Sequence, residues 1–197
     1  MSILDKLRPQ PEWKDDDPGV RLAAVHQLGV DDTVEDADDI LAQIVATDAD
    51  ARVRQAAAER LTDPAQLARV IRDDADESVR ATAVAILLEL ATSADDLEGG
   101  TAALGALDDP RDLSDVARAA AHESIAHAAL ARVNETKALG AVARRAVHGS
   151  VRLAALARIA DTEVDEFVAV AIKSDHKDVT LAAIGQVAGA PPSDATA

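Results

Sequence analysis

The chain has 197 residues, a formal charge of −16, no cysteine, 48% apolar residues and 1% aromatic ones. The missing thiols exclude disulfides, thiolate zinc sites and cysteine nucleophiles, and the acidic balance disfavours broad binding to nucleic acid or an anionic membrane. Alanine fills 45 positions, and a core of Ala, Leu, Val and Ile suits closely spaced helices better than a two-layer core filled by aromatic rings.

Residues 1–16 read as an N-terminal capping segment. Ile3, Leu4 and Leu7 share one helical face able to cover the exposed apolar end of a helical array, and Trp13 is the only tryptophan. Asp5, Lys6 and Pro9 interrupt the opening before it reaches signal-peptide length, and no window approaches the roughly 18 apolar residues of a membrane span. A soluble, cytoplasmic chain without membrane contact is expected.

From Asp15 onward a phrase repeats. "DDDPGVRLAAVHQL" from Asp15, "DADARVRQAAAERL" from Asp48, "DADESVRATAVAILLEL" from Asp74, "AAHESIAHAALARV" from Ala120 and "VHGSVRLAALARI" from Val147 align on Val20, Val53, Val79, Ile125 and Val151, with a further copy at Val179. The separations are 33, 26, 46, 26 and 28 residues. The interval of 46 hides a degenerate copy starting near Gly99, because "LTDPAQLARVIR" from Leu61 realigns on "LDDPRDLSDVAR" from Leu107.

Within a unit, Val20, Ala23, Ala24 and Leu28, or Val53, Ala56, Ala57 and Leu61, fall at i, i+3, i+4 and i+8, a helical stripe. Asp17-Pro18, Asp63-Pro64 and Asp109-Pro110 place an N-capping carboxylate before a proline whose missing N–H is not needed in a first turn. Each unit reads as two short helices joined by a tight turn, stable only when stacked, for about 12 to 14 helices in all. Gly99, Gly100 and Gly105 make residues 93–105 the expected weak stretch. The polar tail, residues 189–197 with paired prolines, reads as disordered.

The pattern D-x-x-V-R-x-A-A-x-x-x-L, as it stands in residues 17–28 and 50–61 and more loosely in 76–87, resembles the HEAT-repeat family in its short bacterial and archaeal form. The likeness covers residues 17–188. It implies an all-α fold, a right-handed α-solenoid of about seven stacked helical hairpins, one of them degenerate. It also implies a ladder of the Asp before each unit and the Arg after its Val: Asp17 and Arg21, Asp50 and Arg54, Asp76 and Arg80. Ala126 and Thr180 replace the Arg in later units.

No phosphate-binding loop, dinucleotide turn, H-E-x-x-H or serine elbow occurs, so no catalytic residue, metal or cofactor is expected. Three residues before the signature aliphatics stand Asp17, Asp50, Asp76 and Asp96, then His122, His148 and His176. Stacked units lie about 10 Å apart, too far for these imidazoles to share a metal, and they read as turn histidines.

Charge is unevenly spread. Residues 1–98 carry 10 basic and 23 acidic side chains and residues 99–197 carry 10 and 13, yet between Val116 and Ala160 seven cations face only Glu123 and Glu135. Arg72, Arg118 and Arg144 each lie seven residues before a signature aliphatic, near the ends of the helices that the resemblance assigns to the inner surface. With Arg145 and Arg152 they form the candidate partner-binding set. The expected function is a non-enzymatic scaffold that holds a protein or acidic peptide, with self-association as a competing use. The resemblance offers two alternatives, a HEAT-like nucleic-acid-binding or DNA-repair protein and a scaffold subunit of a HEAT-like lyase. One Trp, one Phe and no Tyr in an acidic chain make nucleic acid a poor partner.

Overall fold

Asp-Pro steps start three helices as helix physics demands. Asp17, Asp63 and Asp109 accept hydrogen bonds from the backbone N–H of Gly19, Ala65 and Arg111 at 2.7, 2.9 and 2.7 Å, with proline in the first turn each time. The computed structural model describes residues 11–28, 37–93 and 95–189, and among them all regular structure is helical. The proposed cap at Ile3, Leu4 and Leu7, and all but the first residue of the 189–197 tail, lie outside the described residues.

A 3₁₀ turn at Glu12–Lys14 places Lys14 over the Trp13 ring, 4.3 Å from its centroid. Seven helices begin at repeat phrases: α1 (Pro18–Gln27), α3 (Ala51–Ala58), α5 (Glu77–Thr92), α6 (Leu97–Ala106), α8 (Glu123–Arg132), α10 (Gly149–Ala157) and α12 (Lys177–Gly189). These are called A helices. Five B helices fall between them among the described residues: α2 (Ala37–Thr47), α4 (Pro64–Asp73), α7 (Pro110–Ala119), α9 (Thr136–Arg145) and α11 (Val164–Lys173). The degenerate copy has a physical form. α5 is lengthened to 16 residues and α6 follows it with no B helix between.

Two compact units divide the 17–188 array, residues 1–86 and 87–197, with the boundary inside α5. In the first, α3 packs on α1 and α2, and α2 touches α4. In the second, α7, α9 and α11 each pack on the A helix that follows, and like packs on like along two rows, α7–α9–α11 and α6–α8–α10–α12.

The apolar stripe is buried in full in α3 and is narrower in α1 and α10. The signature Val53, Val79, Ile125, Val151 and Val179 are buried, as are the residues four later, Ala57, Ala83, Ala129, Ala155 and Ala183. The i+3 position varies between units: Ala56 is buried as the spacing predicts, whereas Ala23 is exposed and Ala154 half-buried. At about 100° per residue, positions i, i+4 and i+8 centre the stripe near 40°, which leaves i+3 about 100° away.

Gly99, Gly100 and Gly105 do not interrupt helix formation. Asp96 caps α6 by accepting from Glu98 N–H at 3.0 Å, and α6 runs through all three glycines. A Cβ at Gly100 would lie 2.9 Å from Ile125 Cδ1 and 3.0 Å from the Leu90 carbonyl oxygen, so this glycine permits close helix approach.

Candidate functional site

Arginines after the signature aliphatic reach out of their own helices. In residues 1–86, Arg21 forks onto Asp48 with Nε and Nη2 at 2.7 and 2.8 Å, and Arg54 onto Asp74 at 2.8 and 2.9 Å. Each also donates Nη1 back to the turn before its helix, Arg21 to the carbonyls of Asp15 and Asp16, and Arg54 to those of Asp48 and Ala49. The acid of each rung stands two residues before the Asp that the repeat pattern singles out. Asp17, Asp50 and Asp76 are N-caps instead, accepting from Gly19, Arg52 and Ser78 N–H. The guanidinium of Arg21 holds Asp48, and that of Arg54 holds Asp74, below the ordinary carboxylate range. Arg80 donates to the Asp74 carbonyl, but the rung acid that would follow it is Ala94 in sequence.

In residues 87–197 the same turns read Ala120-Ala121-His122, Ala146-Val147-His148 and Ser174-Asp175-His176. Backbone replaces side-chain charge there. Ala121 N–H donates to the Thr92 carbonyl and Val147 N–H to that of Arg118, at 3.1 and 3.0 Å, and the His148 ring nitrogen sits 3.0 Å from the Ala120 carbonyl oxygen. The His148 imidazole is therefore part of the turn structure. Arg152 keeps the old register, donating to the Ala146 and Val147 carbonyls and pairing with Asp178 at 2.8 Å; at 9% exposed it belongs to the fold and leaves the partner-binding set.

A second arginine register, seven residues after the signature aliphatic, carries no functional signal in the sequence. Arg60 donates to the carbonyl of His26, Arg132 to those of Leu104 and Leu107, and Arg158 to those of Leu130 and Val133. Each tethers the C-terminal end of the preceding A helix, whose last carbonyls lack helical partners. Much of the positive charge between Val116 and Ala160 is thereby consumed in holding the repeat together.

The remaining members of the candidate set divide. Arg72, on α4 of the first unit, is exposed beside Asp73. Arg118 pairs with Asp115, and Arg144 with Glu166 at 2.5 Å, half-buried. Arg118 and Arg144 do occupy equivalent places on packed helices, but neither is open to a partner. Arg145 is exposed and makes no ion pair among the described residues.

Extending the register along the B helices of the second unit adds companions. Arg111 and Lys137 are equivalent on α7 and α9, and Arg145 and Lys173 are equivalent on α9 and α11. All four are exposed, and no ion pair engages them among the described residues. Eight residues separate Lys137 from Arg145, about 12 Å along α9. Between the two pairs lie the small half-buried Ala141 and Ala169, with exposed Asp165 on one margin. A shift of 26 to 28 residues applied to every cation, rather than to the arginines near the signature alone, finds the whole group.

Side chains elsewhere do not assemble a reactive centre among the described residues. Ser150 donates to Glu123 and lies 3.1 Å from His127 Nε2, while Glu123 sits 3.8 Å from that same nitrogen. Acid and hydroxyl share one ring nitrogen on an exposed surface, so the acid cannot orient the imidazole from the opposite side as a nucleophile's base requires. No group of three metal-ligating side chains forms among the described residues. A groove of about 570 Å³ in the first unit, lined by Val45, Val70, Gln66 and Arg69 among others, carries the buried, unpartnered Gln66 Oε1. No protein-family model and no curated protein matches the chain.

Proposed function

We propose that this chain is a HEAT-like, right-handed α-solenoid that serves as a non-enzymatic scaffold, and that α7, α9 and α11 hold an acidic protein segment. The observation that supports this is a group of four cations without ion pairs among the described residues, Arg111, Lys137, Arg145 and Lys173. They remain in a chain of formal charge −16 in which Arg118 and Arg144, on the same helices, are engaged. Exposed charges that the fold does not use are free to steer and register a partner of opposite sign. An extended peptide rises about 3.3 Å per residue, so acidic side chains about four residues apart span the two pairs. The alanines between leave room for the backbone.

Anisotropy titration of a labelled peptide with glutamates four residues apart tests the reading. Binding that weakens with salt is expected, and Lys137→Glu with Arg145→Glu should lower affinity roughly tenfold or more. Arg69→Glu in the first unit is the control that leaves affinity unchanged. Equal affinity in the double variant, with helix content retained, sinks the proposal. Tight binding of duplex DNA under the same conditions turns the reading towards nucleic acid.

A further inference from the structure

Along α7, α9 and α11 each joint is closed by the helix pair that follows, and among the described residues α11 and α12 leave the same face open. On α7, Ser114 and Ala117 are buried where α9 packs; on α9, Gly140 and Ala143 are buried where α11 packs, and Arg144 receives Glu166 from it. The equivalent residues of α11 are Val168, Ala171 and Ile172. Val168 is 37% exposed and Ile172 is 75% exposed. The A helices follow suit. Leu130 and Leu156 are buried, whereas their equivalent on α12, Ile184, is 50% exposed.

A repeat face that no neighbour covers is expected to be polar. Here the sequence runs the other way. From α9 to α11, Gly140 gives way to Val168 and Arg144 to Ile172, so the exposed face is bulkier and more apolar than the covered ones. Clustered exposed aliphatics of this kind mark a contact surface.

We propose that the Val168, Ile172 and Ile184 face is a dimer interface, on which a second copy of this chain sets the same face across a two-fold axis. The interior joint selects its occupant by charge, with Arg144 taking Glu166. The end face has lost that arginine, so an incoming acid would be buried without a partner, and an uncharged face meets its best complement in another like itself. Its margin carries Lys173, Asp175 and Lys177, charges of both signs that two copies can set against each other. The interface is separate from the basic group and uses none of its cations except Lys173, at the margin.

Sedimentation equilibrium on the full chain should give twice the monomer mass, with association tightened by salt because two acidic copies repel at a distance. Ile172→Glu and Ile184→Glu, both at exposed positions, should each weaken association roughly tenfold or more with helix content unchanged. Since the chain has no cysteine, Ile172→Cys supplies a single thiol. A short bis-maleimide crosslinker, which adds each thiol across a C=C bond, should join residue 172 to its own counterpart. A monomeric wild-type chain at high concentration overturns the proposal, as does a dimer untouched by both glutamates. Association that disappears when residues 1–10 are removed, or a dimer in which the thiols introduced at position 172 fail to crosslink, assigns the contact to a head-to-tail arrangement and overturns it equally.

Discussion

Residues 1–86 and residues 87–197 join successive repeats by different chemistry. The first unit uses Asp-x-Asp turns, in which one acid caps a helix and the other receives a forked arginine from the repeat before it. The second has turns ending in histidine, two of them joined by backbone hydrogen bonds, with the His148 imidazole, the Ser174 hydroxyl and the Arg152–Asp178 pair adding to the links. A charged rung fixes two side chains and requires both to stay ionised, whereas a backbone link is indifferent to pH. The interior turns of the first unit therefore rest on forked charged rungs, whereas the second combines backbone links with the Arg144–Glu166 and Arg152–Asp178 pairs and has cations left over for a partner.

Acid should break the comparison most completely. Asp48 and Asp74 are held below the ordinary carboxylate range by Arg21 and Arg54, Asp76 by Ser78, and Asp50 is lowered to about 2 chiefly by Arg52. A carboxylate with a depressed folded pKa stabilises fully above its unfolded value and loses that contribution as pH falls through the folded one. The window runs from the ordinary value of 3.8 down to about 2. In the second unit Asp178 is lowered, by Arg152, and burial raises Asp112, which adds stability as pH falls. Trp13 reports on the first unit alone. Its fluorescence should change at higher pH than the bulk of the helical circular dichroism; coincident transitions would show that the units do not differ.

Next in size is Arg54→Ala, which removes one rung and two carbonyl bonds and leaves Asp74 without its cation. A loss of about 3 kcal/mol is expected, confined to the first unit by hydrogen exchange. His148→Ala, the matching change in the second unit, removes one side-chain hydrogen bond and should lose about 1 kcal/mol. Equal losses would mean that ion pairs and backbone links hold the turns alike. Ala155→Leu should overpack the α10 core by about 2 kcal/mol while Ala23→Leu, on the exposed side of α1, is nearly neutral. Denaturation midpoints in reverse order would reassign the buried stripe.

The smallest effects sharpen the picture inside the second unit. Gly100→Ala should destabilise by about 1 kcal/mol through contact with Ile125 and Leu90, and Gly105→Ala, with open space around it, should stabilise by up to about 1 kcal/mol. Thermal melts of the pair decide whether α6 is limited by close packing or by glycine's backbone freedom.

Asp-Pro steps, the signature aliphatic and its i+4 alanine could be read from the sequence because caps and helical stripes are local: the residues that matter lie within two turns of each other. The missing B helix after α5 was visible only as a misfit in spacing, since a 46-residue interval does not say which helix is gone. The basic segment was legible as charge but not as a site. Its arginines at 118, 132, 144, 152 and 158 are distinguished from Arg145 only by what surrounds them in the folded chain, a carboxylate or a helix end.

By itself, then, the order of residues determined where helices start, which stripe turns inward and how often the pattern recurs, because each rests on backbone geometry over a few residues. Only the tertiary structure decided that Arg21 meets Asp48 and not Asp50, that Gly140 makes room for Glu166, and that Ile172 stays exposed. Those outcomes depend on the height and rotation at which one repeat sits against the next. Two acids separated by a single residue in an Asp-x-Asp turn are nearly equivalent in sequence, and stacking alone turns one towards the arginine and leaves the other to cap a helix.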